Sequence, residues 1–322
     1  MKKLPVVLAL ALVASLAFAA TAPAKTLTVC KRGCKYKKLQ QAADAAKKND
    51  TIAIRPGRYT EGILLTGKKK NSVKVRGTGT SPSQVVLEGR GAKDKQGNRI
   101  QDGVKIDGAN NVEVSNLTAQ NYPGNGVFAR NCDGYNMTKL VVGFNRAYGL
   151  YAFDCKGGTM TDSIGYGQGD SAYYVGQTPF QANPKRTTIQ RVVAYQNVLG
   201  YSGTNSKYVD ILDSEWYNNG NGIVPNTLDS EKYEPATDLR IERNLVYWNN
   251  YNYYKAGSVV KPLPSAVGSF NYPIGIGVTL FGTTGVTVKD NKIFGNFLWG
   301  VLGVSDPTNK PAKPGQTPEA TN

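Results

Sequence analysis

The segment GVFARNCDGYNMTKLVVGFNRAY, Gly126 to Tyr148, runs without a break into GLYAFDCKGGTMTDSIGYGQGDS, Gly149 to Ser171. Each is 23 residues long, opens on glycine and continues into a short apolar strand. Tandem repetition at a period of roughly 20 to 50 residues is the mark of a stacked architecture. The opening recurs at Ser171-Ala172-Tyr173, Gly200-Tyr201, Gly222-Ile223, Gly275-Ile276 and Gly300-Val301. A second strand follows in each repeat, anchored on Val114, Met137, Met160, Ile189, Ile211, Ile241 and Val288. Successive anchors are 23, 23, 29, 22, 30 and 47 residues apart, so a basic period of 22 to 23 carries three insertions.

Other columns follow the anchors. Eight residues on stand Tyr122, Asn145, Gln168, Asn197, Asn219, Asn249 and Asn296. Amides repeating once per turn, one strand spacing apart, can hydrogen-bond into a ladder. Three residues past the anchors, Leu117, Leu140, Ser163, Val192, Ser214, Asn244 and Asn291 suit an interior stack. Because the same columns recur in the same direction, the repeat is one of translation, not hairpin reversal. The expected fold is all-β: a single-stranded right-handed parallel β-helix (solenoid) of seven stacked rungs. Tyr36 to Lys48 places Leu39, Ala42, Ala43 and Ala46 on one face and predicts a short capping helix at the N-terminal end.

The expected organisation is a signal peptide over 1–24, the β-helix domain over 25–305 and a disordered Pro/Lys/Thr-rich tail over 306–322. Lys2 and Lys3 precede the apolar run Val6 to Ala20, and Ala22-Pro23-Ala24 forms a small-residue cleavage site. Cleavage near Ala24 implies a secreted, periplasmic or cell-surface protein. No second apolar stretch approaches membrane-spanning length, and a monomer is expected. Export permits disulfides. Cys30 and Cys34 are close enough to pair. Cys132 and Cys155 each lie six residues after a repeat-opening glycine, which stacks them on adjacent rungs about 4.8 Å apart. A disulfide is the favoured reading there, with buried thiols the alternative. A metal site is disfavoured because the chain has no histidine and no C-x-x-C pair.

The formal net charge is +16. Lys25 to Lys105 holds 20 Lys plus Arg against 6 Asp plus Glu, and the chain from Ile106 onward balances at 17 against 17. A basic field on an exported chain selects polyanions such as acidic polysaccharide or cell-wall polymer, and export argues against nucleic acid.

Leu39-Gln40-Gln41-Ala42, Asp50-Thr51-Ile52 and Pro56-Gly57-Arg58-Tyr59 resemble the N-terminal cap of pectin-lyase-like parallel β-helix proteins. The rungs from Ala147 to Asp154, with Gly169-Asp170-Ser171, Val175-Gly176-Gln177 and Gly200-Tyr201-Ser202-Gly203, resemble a group of uncharacterised bacterial secreted β-helix repeat proteins. The resemblance spans roughly 27 to 305. It implies an exported β-helix that binds or processes an acidic polysaccharide as a polyuronide lyase or epimerase. The alternative is a non-catalytic polysaccharide-binding or structural adhesion β-helix, because this fold hosts many functions.

Elimination or epimerisation needs a cation on the uronate carboxylate and a base for the adjacent proton. Asp170, Lys185 and Arg186 are the catalytic candidates. The insertions Gly176 to Lys185 and Pro225 to Thr237 fall at the same turn and should flank one groove carrying Gln177, Lys185, Arg186, Asp229 and Glu231. Six residues past the anchors, Tyr166, Tyr195, Tyr217, Tyr247 and Phe294 form an outward aromatic column; Phe128, Tyr151 and Tyr173 form a second. Tyr151, Tyr173, Gln177, Tyr195, Tyr217 and Tyr247 are accordingly the substrate-binding candidates. Calcium is the one cofactor with donors in range of the argument, from Asp154, Asp162 and Asp170. Tyr148-Gly149 to Asp154 resembles the Tyr-Gly-x-Asp-Pro-His segment of mannuronan epimerases, but Cys155 and Lys156 follow the aspartate, and a histidine-dependent mechanism is excluded.

Overall fold

The computed structural model describes residues 23–262 and 272–305. The expected signal peptide lies outside these residues but for its last two positions, and the expected tail lies wholly outside them. The described chain is all-β apart from one α-helix and two short 3-10 turns. Its strands pair in parallel, and each circuit adds to a nine-stranded sheet, here sheet B, and to a 17-stranded sheet, sheet A.

Sheet B contains Ile63–Thr66, Val104–Asp107, Val127–Asp133, Leu150–Lys156, Ser171–Gly176, Leu199–Thr204, Asn221–Asn226, Ile276–Phe281 and Trp299–Val304. Two of these strands precede the seven rungs read from the repeat. There the anchor Val75 pairs with Val114 across 39 residues, because the 3-10 turn Pro82–Gln84 and a longer loop interrupt the period.

Sheet A folds along a bend. One residue per rung takes a left-handed backbone there: Asn116 (φ 54°), Lys139 (53°), Asp162 (52°), Arg191 (53°), Asp213 (46°), Arg243 (55°) and Asp290 (57°). That conformation disfavours side chains other than Asn, Asp and Gly. The two arginines are held by the acid one rung back: Arg191 Nε lies 2.7 Å from Asp162 Oδ1, and Arg243 Nε 2.7 Å from Asp213 Oδ1. From Lys139 to Asp290 the column alternates in sign, so no like charges meet in register.

Val114, Met137, Met160, Ile189, Ile211 and Ile241 are fully buried inside the coil. The amide column forms as its spacing requires. The backbone N–H groups of Tyr122, Asn145, Gln168, Asn197, Asn219 and Asn249 each donate to the side-chain oxygen of the next amide, at 2.9 to 3.2 Å. Asn197, Asn219 and Asn249 also donate Nδ2–H to the following Oδ1. Ser214, Asn244 and Asn291 make a second ladder, and Asn244 Oδ1 also accepts from the buried Trp216 indole. Unmade hydrogen bonds in such an interior cost about 1–3 kcal/mol each. The ladders thus make the interior specific as well as apolar.

The helix, Leu39–Ala45, is shorter than Tyr36–Lys48. Lys38 and Ala46 are extended, while Leu39, Ala42, Ala43 and Ala46 are all buried as their spacing predicts. Cys30 is bonded to Cys34, and the register partners Cys132 and Cys155 are bonded with Cα atoms 4.5 Å apart. Among the described residues no helix is long and apolar enough to cross a membrane.

One register expectation is corrected. The carbonyl stacked under Gly149 belongs to Ala172, not Ser171, and Leu150 pairs with Tyr173. Tyr173 is therefore interior, fully buried, with its hydroxyl donating to Ser163 O at 2.7 Å. Tyr174 takes the outward position beside Tyr151. A slip of one residue exchanges the faces of a strand. A strict count of 23 from Gly149 lands on Ala172. The column's glycines exist because a Cβ would strike the next rung: at Gly126 it would stand 2.7 Å from Gly149 O.

Candidate functional site

The outer face of sheet B carries Lys105, Phe128, Tyr151 and Tyr174 in register on successive strands. Alternation sends these side chains outward, and the inserted segments wall them in. Phe128 and Tyr151 stack with centroids 4.3 Å apart, and Tyr148 stands 4.6 Å from both the Tyr151 and Tyr174 rings. The segment from Asn250 closes one side: Tyr253 packs with Val198, Leu199 and Val224, and the Arg146 guanidinium donates to Lys261 O at 2.7 Å. On another side Gln177 Nε2 donates to Glu231 Oε2 at 3.0 Å. That bond joins the first two insertions, whereas Lys185 and Arg186, expected in the same groove, pair with acids outside it.

Asp170 sits at the edge of this cleft, immediately before the strand Ser171–Gly176. Its backbone is fixed on both sides: its N–H donates to Ala147 O and its carbonyl accepts from Leu199 N–H, each at 3.0 Å. The preceding Gly169 leaves no room for a side chain, since a Cβ would lie 2.1 Å from Arg146 O. Burial pushes the Asp170 carboxyl up to about 7, and the facing Tyr148 hydroxyl offsets only part of that rise. Taken as a whole residue, Asp170 is half-buried at the edge of the cleft. Burial also raises the Tyr151 hydroxyl; Glu231 and Asp170 add to the rise and Arg130 opposes it. Tyr174 is raised by burial and then by Glu231, and Tyr272 by burial and then by Asp170 and Glu231. The tyrosines thus stay protonated donors around a carboxyl that changes charge near neutral pH.

Cations border the same rings. The Lys105 ammonium lies 5.7 Å from the Phe128 ring centre. Arg130 lies 3.5 Å from Asp107, and its Nε is buried without a hydrogen-bond partner. A pairing this loose leaves a guanidinium edge for an anion.

The structure separates the proposed catalytic trio. Arg186 forks onto Asp210 through two 2.7 Å bonds and reaches Asp238 at 2.9 Å. Lys185 Nζ pairs with Asp133 at 2.6 Å, at the far end of the sheet B strands from Asp170. Of the three, only Asp170 stands among the cleft aromatics. The expected calcium donors do not converge either. Arg191 holds both oxygens of Asp162 at 2.7 and 2.8 Å, Asp154 takes a left-handed backbone within the strand Leu150–Lys156, and Asp170 faces the tyrosines. These donors do not fit a shared cation.

The sheet A column is self-contained. Tyr166, Tyr195, Tyr217, Tyr247 and Phe294 stack at 5.2 to 5.4 Å with planes within 14°. Each inner ring presents its faces to its neighbours, leaving edges for solvent. Sequence reasoning missed Tyr174 and Tyr272, and named Tyr148 only as the start of the epimerase-like segment. The Tyr173-Tyr174 doublet was the available signal, because two adjacent tyrosines in a strand must face opposite ways.

No protein-family model matches the chain, and no curated protein matches it. Solved structures do. The A-module of mannuronan C-5 epimerase AlgE4 from Azotobacter vinelandii aligns at a TM-score of 0.56 and 16% identity, over 82% of this chain and 66% of that one. The fold is the pectin-lyase-like parallel β-helix. The A-module of AlgE6 from the same organism aligns with this β-helix at 0.56 and 15%, over 82% of this chain and 74% of that one. Alginate lyase from Paenibacillus sp. str. FPU-7 aligns at 0.42 and 13%, over 86% and 99%. The β-helix described here thus spans just under two thirds of the AlgE4 module.

Proposed function

We propose that this chain is an exported β-helix that binds and processes an acidic polysaccharide in the sheet B cleft, by elimination or epimerisation. The observation that carries the reading is the Asp170 carboxyl, raised to about 7 beside Tyr148 on an aromatic floor. A group balanced near neutral pH can take a proton and return it, which is what abstraction next to a uronate carboxylate requires. Phe128 and Tyr151 form a surface for a sugar ring, and Arg130 and Lys105 neutralise the uronate carboxylate. Asp170 accepts the proton adjacent to that carboxylate. In epimerisation a proton returns to the same carbon from the opposite face; in elimination the glycosidic oxygen leaves with a proton from a neighbouring tyrosine hydroxyl.

The basic first quarter of the chain favours a polyanionic substrate. The likeness to two mannuronan epimerase modules favours the same class. Two disulfides favour an oxidising compartment outside the cytoplasm. Parallel crossovers are almost always right-handed, which supports right-handed winding, and the buried face of Leu39–Ala45 supports its role as the cap. Monomeric state and calcium use belong to the same proposal as open arms of the assay.

A second reading, non-catalytic binding or adhesion, is favoured by the carboxylate partners already held by Lys185 and Arg186. The test is incubation of the mature protein with pectate, alginate and other polyuronides, with calcium and with chelator, following ultraviolet absorbance for unsaturated product and proton NMR for epimerised product. Product formation by wild type and its loss in Asp170→Asn support the enzyme. Binding without product, equal in both proteins, contradicts it in favour of the second reading.

A further inference from the structure

The loops 177–186 and 227–236 meet over Asn205 and Lys207, two buried side chains that the cleft chemistry does not use. Both are fully buried. Asn205, left-handed at φ 50°, follows the strand Leu199–Thr204. Its Nδ2 donates to the carbonyls of Leu228 (2.8 Å), Lys232 (3.0 Å) and Glu231 (3.2 Å), and its Oδ1 accepts from Leu228 N–H at 3.0 Å. The Lys207 ammonium donates to the carbonyls of Tyr233 and Pro235 and lies 4.6 Å from the Phe180 ring centre. Two side chains of one turn thus hold the main chain from 228 to 235, and Lys207 also meets the other loop through Phe180.

A buried ammonium without acceptors is strongly unfavourable, and buried carbonyls without donors are too. Here each satisfies the other, so the loop and the lysine are stable only together. The same loop delivers the Glu231 carboxylate to Gln177 and thereby to Tyr151 and Tyr174. Gln177 is itself left-handed (φ 47°), with its N–H bonded to Thr204 O at 2.8 Å, so it offers Glu231 a fixed docking point.

We propose that Asn205 and Lys207 are positioning residues that clasp the 227–236 loop and set Glu231 on Gln177 at the rim of the cleft. The clasp itself is a statement about the loop; its consequence for substrate rests on the reading of the cleft as a polysaccharide site.

The test uses the full chain with 15N-glutamine and follows the Gln177 side-chain amide, identified by its loss in Gln177→Leu. In Asn205→Asp and Lys207→Met this resonance should move to where Glu231→Ala puts it. Amide exchange over 228–235 should rise at least about tenfold, while exchange in the strand Leu199–Thr204 stays within about twofold. Asn205→Asp retains one of the four Asn205 bonds and is the second variant if Lys207→Met folds poorly. A Gln177 signal that stays at its wild-type position in both clasp variants, while Glu231→Ala moves it, overturns the proposal. With polygalacturonate or alginate oligomers as probe, the clasp variants should weaken binding by the same factor as Glu231→Ala, with no further loss in the double variants. Additive losses contradict the clasp. A wild type that binds none of these probes counts against the proposed function, and the Gln177 signal still decides the clasp.

Discussion

The outer faces of sheets A and B use the same residue type to opposite ends. On sheet A the aromatic column from Tyr166 to Phe294 stacks ring on ring, and the bend beside it pairs each arginine with the aspartate one rung back. On sheet B only Phe128 and Tyr151 stack; Tyr148 tilts against Tyr151 and Tyr174, Tyr174 stands edge-on to Tyr151, and the group encloses a carboxyl whose charge is disfavoured. Repetition satisfies every group with a copy of itself. Chemistry needs a group left unsatisfied, and that arises where insertions break the repeat and cover one face.

This contrast can be broken at the cleft first. Asp170→Asn should lower processing of the responsive polysaccharide by about 10²-fold or more, while Tyr217→Ala on sheet A should leave the initial rate within about twofold. The same carboxyl should mark the pH dependence of stability. Folded Asp170 holds its proton until about pH 7, whereas its ordinary value is 3.8. The folded state therefore binds more protons between those limits. Its contribution is fully present below about pH 4 and is lost as pH rises to about 7. Urea unfolding of wild type against Asp170→Asn across that range should show the difference only in wild type.

The repeat should break most severely at an amide. Asn219→Leu strands the Asn197 backbone N–H, takes one of three acceptors from the Asn197 side-chain amide and removes bonds to Ala194 O and Asn249, at about 3 kcal/mol in urea unfolding. Tyr217→Ala should cost about 1 kcal/mol beyond its lost buried area, as a stacked pair on each side is removed. Smallest is Arg191→Ala, a loss barely detectable at low salt and vanishing in high salt, because the pair with Asp162 is largely exposed.

How legible the molecule was in its sequence follows the same division. The ladder from Asn145 to Asn296, the Cys132–Cys155 register and the buried face of Leu39–Ala45 could be read because each obeys a period. Tyr173 and Tyr174 were exchanged because the count was anchored on Ser171 and not on Ala172, the residue that replaces the expected glycine. The first two sheet B strands escaped notice because their rungs lack the amide column. At the cleft, Tyr151 was within reach of sequence reasoning through its repeating outward column, and Asp170 and Gln177 through the strand that leads into the first insertion. The engagement of Arg186 with Asp210 and Asp238 was not, because it joins residues 24 and 52 positions away whose pairing depends on register at three successive strands. Nor was the enclosure of Asp170, which depends on the path of the segment from Asn250.

The most direct test of the central claim is a carbon-13 NMR titration of the aspartate side-chain carboxyls in the intact protein. One carboxyl titrating near pH 7, and missing in Asp170→Asn, is the result required. A spectrum in which every aspartate, Asp170 included, titrates below pH 5 would contradict the assignment of the sheet B cleft as the seat of proton transfer.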